Sequence, residues 1–299
     1  MADELELLRG VNPVTADGPR YGDGPLDHHA ERGLNRLLHE RRSRRRRLQW
    51  SLVATAAVAA TVLTLVLGGP SSAPAVAAPR PLVVQAHSTP VSLKQLAALA
   101  AAVAVDGTPA LRRGTHVQSW SLGMSDDKPP VTVPEERIVR WNADDSHTER
   151  LVEHGRVLKE TTFPPSWSDV PPDARPPHDV AALRAYLQET AYSKTPLTTP
   201  ELLSAVGELL DHWTLGARES AALARLLAGA DGLRPVGEVT DRLGRSGQAY
   251  VYQRSGSRLM LIMDPATGAV LGMENTFTKD QPEYGVKAGD VMEYSAWTR

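Results

Sequence analysis

The chain contains no cysteine. That excludes disulfides, a lipobox-type lipoprotein anchor, thiolate zinc sites and a cysteine nucleophile. It also lacks a large charge of either sign: 33 Lys and Arg face 35 Asp and Glu, a net of −2 over 299 residues. Residues 1–47 hold ten Arg against eight acidic residues, and the remainder has a net of −4. Neither part is charged enough to dictate a polyanionic or polycationic partner. There is no glycine-rich phosphate loop and no G-x-S-x-G nucleophile elbow. "LGRSGQA" (Leu243–Ala249) contains only G-x-S-G and reads as a hairpin turn.

Other candidates for chemistry are equally thin. His28 and His29, beside Asp27, point about 100° apart if they are helical, which does not suit a shared metal. On the strand expected over His147–His154, parity puts His147, Glu149 and Glu153 on one face and His154 on the other. This breaks a clean two-His, one-carboxylate set. Asp241 and Asp264 form a carboxylate pair only if the fold joins them. "DPATG" (Asp264–Gly268) resembles a β-propeller repeat turn but occurs once. No catalytic residue, cofactor or metal is expected, and the chain is read as a non-enzyme.

One feature is abundant. From Trp50 to Leu67 there is no charge, and the only polar residues are Ser51, Thr55, Thr61 and Thr64. A helix rising 1.5 Å per residue needs roughly 20 apolar residues to cross a bilayer core of about 30 Å. Residues 48–69 supply that length and are expected to span the plasma membrane. Trp50, Leu52, Val53, Val58, Val62, Leu63, Leu65 and Leu67 would meet lipid, and Gly68, Gly69 and Pro70 would end the helix. A cleaved signal peptide has a short leader and a shorter apolar run, whereas 47 residues precede this one. Ala75-Val76-Ala77 does offer a signal-peptidase-like site. A retained single-pass anchor is the expectation.

Arg41, Arg42, Arg44, Arg45, Arg46 and Arg47 abut the apolar run, and on its other side the first cation is Arg80. Positive residues beside a span stay in the cytoplasm. The N-terminus is therefore expected inside and the C-terminal domain outside. Against a membrane such a run serves anionic lipid rather than nucleic acid, so no nucleic-acid partner is expected.

The chain divides into a basic cytoplasmic tail (1–47), the span (48–69), a Pro- and Ala-rich spacer (70–91), and a folded domain (92–299). The tail is too short to bury a core. Its Leu34, Leu37 and Leu38 share one helical face and are candidate docking residues for a cytoplasmic regulatory protein. In the domain, Ser92 is expected to cap an Ala-rich helix. A meander of strands follows up to Phe163, then a Pro-rich loop in which Trp167 would anchor the chain. Helices capped by Asp179 and Thr199 and a third over Ala217–Gly232 come next. In the second, Leu202, Leu203, Val206, Leu209, Leu210 and Trp213 repeat at 3.6-residue spacing. Strands then return to the end. Segregated strands and helices imply an α+β fold: a curved antiparallel sheet covered on one face by the helical block.

That order looks like the half-barrel of bacterial envelope proteins that carry or sense lipids and lipoproteins. A second resemblance lies in the tail "DELELLR" (Asp3–Arg9), the single span, and the block "VGEVTDRLGRSGQAYVYQRSGSRLMLIMDPATGAVLG" (Val236–Gly272). Together these resemble an uncharacterised actinobacterial family of single-pass membrane proteins. "DRLGR" and "LIMDPATGAVLG" are the most specific part, and no activity comes with the resemblance. Membrane-bound anti-sigma factors have a similar layout, although the zinc-binding His/Cys signature of one class is absent. Two functions remain open: a signalling protein whose outer domain senses a ligand and whose tail contacts a regulator, or a tethered carrier of a lipid or lipidated peptide.

Overall fold

The computed structural model describes residues 79–125, 128–153, 155–165 and 174–298. The expected span, Arg41–Arg47, the tail leucines, His154 and Trp167 lie outside them. Among the described residues no helix is long and apolar enough to cross a membrane.

The domain is α+β, with a curved antiparallel sheet and four α-helices among the described residues. Helix α1 (Leu93–Val103) starts at a reciprocal cap: Gln95 N–H donates to the Ser92 hydroxyl, and the Gln95 side chain accepts from Ser92 N–H. Four strands follow: β1 (Arg112–Ser125), β2 (Lys128–Trp141), β3 (His147–Glu153) and β4 (Arg156–Phe163). Asp179 caps α2 (Val180–Thr190) by accepting from Ala182 N–H at 2.9 Å. Helix α3 (Thr199–His212) is capped one residue earlier than expected, at Thr198, whose N–H and hydroxyl both donate to Glu201. Helix α4 spans Ala217–Leu227.

Trp213 departs from the sequence reading. It follows α3 in extended backbone and opens β5 (Trp213–Thr214), which pairs with the start of β1. An aromatic at a helix end satisfies a 3.6-residue repeat and a strand equally well, and here the pairing with Arg112–Gly114 decides.

The chain closes with β6 (Arg234–Thr240), β7 (Ser246–Arg254), β8 (Ser257–Met263), β9 (Val270–Phe277) and β10 (Val291–Thr298). The sheet order is β4-β3-β2-β1-β10-β9-β8-β7-β6. Two meanders are thus joined by β10 lying against β1, with Val117 opposite Trp297 and Trp120 opposite Tyr294. The sheet curls: the β6–β7 turn reaches across to β9 and β10, where Arg245 donates to the carbonyls of Leu271 and Trp297.

Each face carries its own core. The helices pack on Val117, Tyr250, Leu261, Val270 and Trp297, with Leu183, Leu187, Leu203, Leu209, Leu223, Leu226 and Leu227 filling the space between. Alanines 100, 104, 217 and 221 let α1 lie close to α4. Gly268, at φ +70°, sits beneath that contact. A Cβ there would come within 2.7 Å of the Ala100 methyl. On the opposite face Val239, Ala249, Val251, Met260, Ile262 and Leu271 are buried, with Leu82 and Val84 packed against them.

Candidate functional site

Leu82 and Val84 belong to the second half of the expected spacer, and this half runs along the domain. Val84 bridges Val239 on the edge strand β6, and Gln85 N–H donates to the Glu238 carbonyl at 2.8 Å. The Ser88 hydroxyl accepts from Glu238 N–H, and Val91 N–H reaches the Gln248 side chain. Residues 80–91 therefore form a strap that covers one edge of the sheet.

The strap's first fixed point is a charge pair with a buried carboxylate. Glu274 on β9 is 1 % exposed. It accepts from Leu82 N–H at 2.8 Å and from the Arg242 guanidinium at 2.8 Å. Arg242 also donates to the Arg80 carbonyl. Its guanidinium lies 4.6 Å from the Trp120 ring centre and 5.4 Å from that of Tyr294. Charge-assisted hydrogen bonds and flat rings on a guanidinium are the stronger forms of polar contact. Arg242 N–H donates to the Tyr294 hydroxyl at 3.1 Å. Burial pushes that hydroxyl up to about 12.

Beside it, Asp241, 4 % exposed, accepts from the backbone N–H groups of Leu243 and Arg245 and from the Arg245 guanidinium at 2.6 Å. "DRLGR" is thus a turn that ties the strap, the sheet and its curl together. Asp264 serves a different turn, accepting from Ala266 N–H and the Thr267 hydroxyl. The two aspartates do not share a site.

A second cluster lies at the other end of the sheet. The Arg113 guanidinium stacks 3.4 Å over the Trp141 ring and binds Asp145 at 2.7 Å. Trp141 lies 4.4 Å from the His147 ring, which stacks on Phe163 at 4.7 Å. His147 is 5 % exposed, and its Nε2 is 3.7 Å from Glu149, in agreement with the shared face expected for these two residues. Among the described residues Arg113 Nε, Trp141 Nε1 and His147 Nδ1 are buried and have no hydrogen-bond partner. Each such group is costly to desolvate unless a partner reaches it. Nearby, burial alone would depress the Arg137 guanidinium; Asp211, Glu149, Glu135 and Glu208 outweigh this and hold it above its ordinary value. The sequence reading missed Arg113, Trp141 and Phe163. Only their alternation along strands was visible, and their stacking depends on the pairing of four strands.

Among the described residues no group of three or more His, Cys, Asp or Glu could hold a metal ion. A cleft between α3 and the sheet, lined by Thr115, Leu210, Trp213 and Trp297 among others, measures about 20 Å³. This is room for one water, far below the 300–1,000 Å³ typical of ligand pockets. Comparison of the chain with protein-family models, curated proteins and solved structures finds no match.

Proposed function

We propose that the chain is a single-pass membrane signalling protein. Its outer domain binds a ligand, and the strap passes the change through the span to a tail that contacts a cytoplasmic regulator. The observation that carries this reading is the strap itself: residues 80–91 are held by the buried Glu274 carboxylate with Arg242 and by the edge of β6. A passive tether needs no such attachment, because a Pro- and Ala-rich spacer connects two parts without it. Anything that shifts β6 or β9 moves the strap, which ten residues separate from the end of the expected span.

The Arg113–Trp141–His147–Phe163 stack is the proposed ligand contact. The Arg113 Nε and Trp141 Nε1 donors there lack acceptors among the described residues, and Asp145 and Glu149 beside them disfavour an anion. A neutral or cationic ligand rich in carbonyl groups, such as a peptide, fits. The carrier reading needs an interior for its cargo, and the space between helices and sheet is filled by leucines under 2 % exposed.

The test uses the full chain in cell membranes. Capture of a cytoplasmic protein should be abolished by Leu37→Asp with Leu38→Asp and altered by Glu274→Gln, which loosens the strap. Capture indifferent to both overturns the signalling reading, and a lipid that co-purifies in stoichiometric amount instead establishes the carrier.

A further inference from the structure

Helix α1 presents a face that no other element among the described residues covers. Leu93, Leu96, Ala97, Ala100 and Ala104 point inward. On the outer side Leu99 is 52 % exposed, Val103 50 % and Val105, just beyond the helix, 77 %. Ala98 and Ala102 lie exposed between them. Leu99 and Val103 are four residues apart and share one side of the helix. The only charges on this stretch are Lys94 at its start and Asp106 at its end. Large exposed apolar residues clustered on one element mark an interaction surface, whereas scattered ones do not.

The position in the chain indicates the occupant. The expected span ends at Gly69, and the first residue fixed on the domain is Arg80. The ten residues 70–79 reach at most about 35 Å when fully extended. If residues 48–69 span the membrane, Arg80 stays within about 35 Å of its surface and the domain can turn upon it. Two or three half-exposed aliphatic side chains bind a bilayer weakly by themselves. The tether makes the contact intramolecular, with an effective concentration in the millimolar range, so a weak apolar face suffices. Leu99 to Val105 carry no charge, and Lys94, Asp106 and Arg218 at the margins nearly balance, which suits an uncharged lipid surface better than an acidic or basic protein.

We propose that the outward face of α1, through Leu99, Val103 and Val105, docks on the outer leaflet of the membrane that holds the chain, and so sets the orientation in which the sheet meets its ligand. This rests on the reading of residues 48–69 as a span and goes beyond it by naming a second, peripheral contact.

The test exploits the lack of cysteine. Single substitutions Leu99→Cys, Val103→Cys and, as a control on β4, Leu158→Cys are each labelled with an environment-sensitive fluorophore. The full chain is reconstituted in phosphatidylcholine vesicles containing nitroxide-labelled lipid. Probes at 99 and 103 are expected to lose most of their fluorescence to the nitroxide, and the probe at 158 to keep it. Adding Val105→Glu to Leu99→Cys should restore the signal. Resistance to alkaline extraction reports the span separately. A chain that remains inserted while both α1 probes stay unquenched overturns the docking alone. A chain extracted by alkali overturns the span and the docking with it. Cross-linking of two copies through Leu99→Cys would assign the face to a second copy and also overturn the proposal.

Discussion

Tyr250 and Tyr294 are both buried to within 1 % of exposure, and burial raises both hydroxyls to about 12, yet they should respond oppositely to loss of that hydroxyl. The Tyr250 hydroxyl lies in the core under the helices with no hydrogen-bond partner among the described residues. A buried, unsatisfied hydroxyl costs about 1–3 kcal/mol, so Tyr250→Phe should stabilise the domain by about 1 kcal/mol. The Tyr294 hydroxyl accepts from Arg242 N–H. Tyr294→Phe leaves that N–H unpaired and should destabilise by about 1–3 kcal/mol. The pH dependence separates the two contributions further. A folded value raised above the unfolded one stabilises fully below the unfolded value, near 10, and that stability disappears as pH rises through about 12. Each tyrosine should account for a loss of about 2–3 kcal/mol across that window. Urea denaturation followed by tryptophan fluorescence at pH 7, 9 and 11 measures both effects. If Tyr250→Phe lowers stability at pH 7 and leaves the alkaline loss unchanged, the Tyr250 hydroxyl has a partner and the reasoning is refuted.

Glu274→Gln keeps the shape of the strap's anchor but leaves Arg242 without its counter-charge, and should cost about 2–3 kcal/mol. Limited proteolysis should then cut within residues 80–91, which the wild type protects. Gly268→Ala forces a left-handed alanine against Ala100 and should cost about 2–4 kcal/mol in thermal unfolding. Hydrogen bonds from Thr198 hold the Glu201 carboxylate below its usual value. A lowered folded value gives stability that is present above the unfolded value and lost as pH falls through the folded one. Protection of the first-turn amides of α3, relative to intrinsic exchange at the same pH, should therefore fall as pH drops below the usual carboxylate range, and it should not in Glu201→Ala.

Local signals in the sequence carried much of the fold. Ser92 and Asp179 cap where their side chains predict, because a cap needs only the next three residues. "DPATG", five residues with Gly last between two strand-like runs, is a local turn signal of the same kind, and it does turn through a left-handed Gly268. The strap was not legible. Pro79, Pro81 and Pro90 mark it as spacer, and what fixes it comes from Glu238, Gln248 and Glu274, far along the chain. The candidate ligand contact was half legible: parity paired His147 with Glu149, but Arg113 and Phe163 join them only through three strand registers. "DRLGR" stood out as a specific string, and its meaning required the long-range partners of Arg242 and Arg245.

The position of β10 bears on how the domain comes into being. Its neighbours β1 and β9 are both made before it, and Trp120 must wait for Tyr294. Contacts this remote in sequence form late, since the intervening chain has to be gathered first. Until then each meander exposes a long unpaired edge on an emerging chain, the kind of surface that seeds association between nascent molecules. A stop codon before Val291 should then yield aggregates rather than a smaller stable domain.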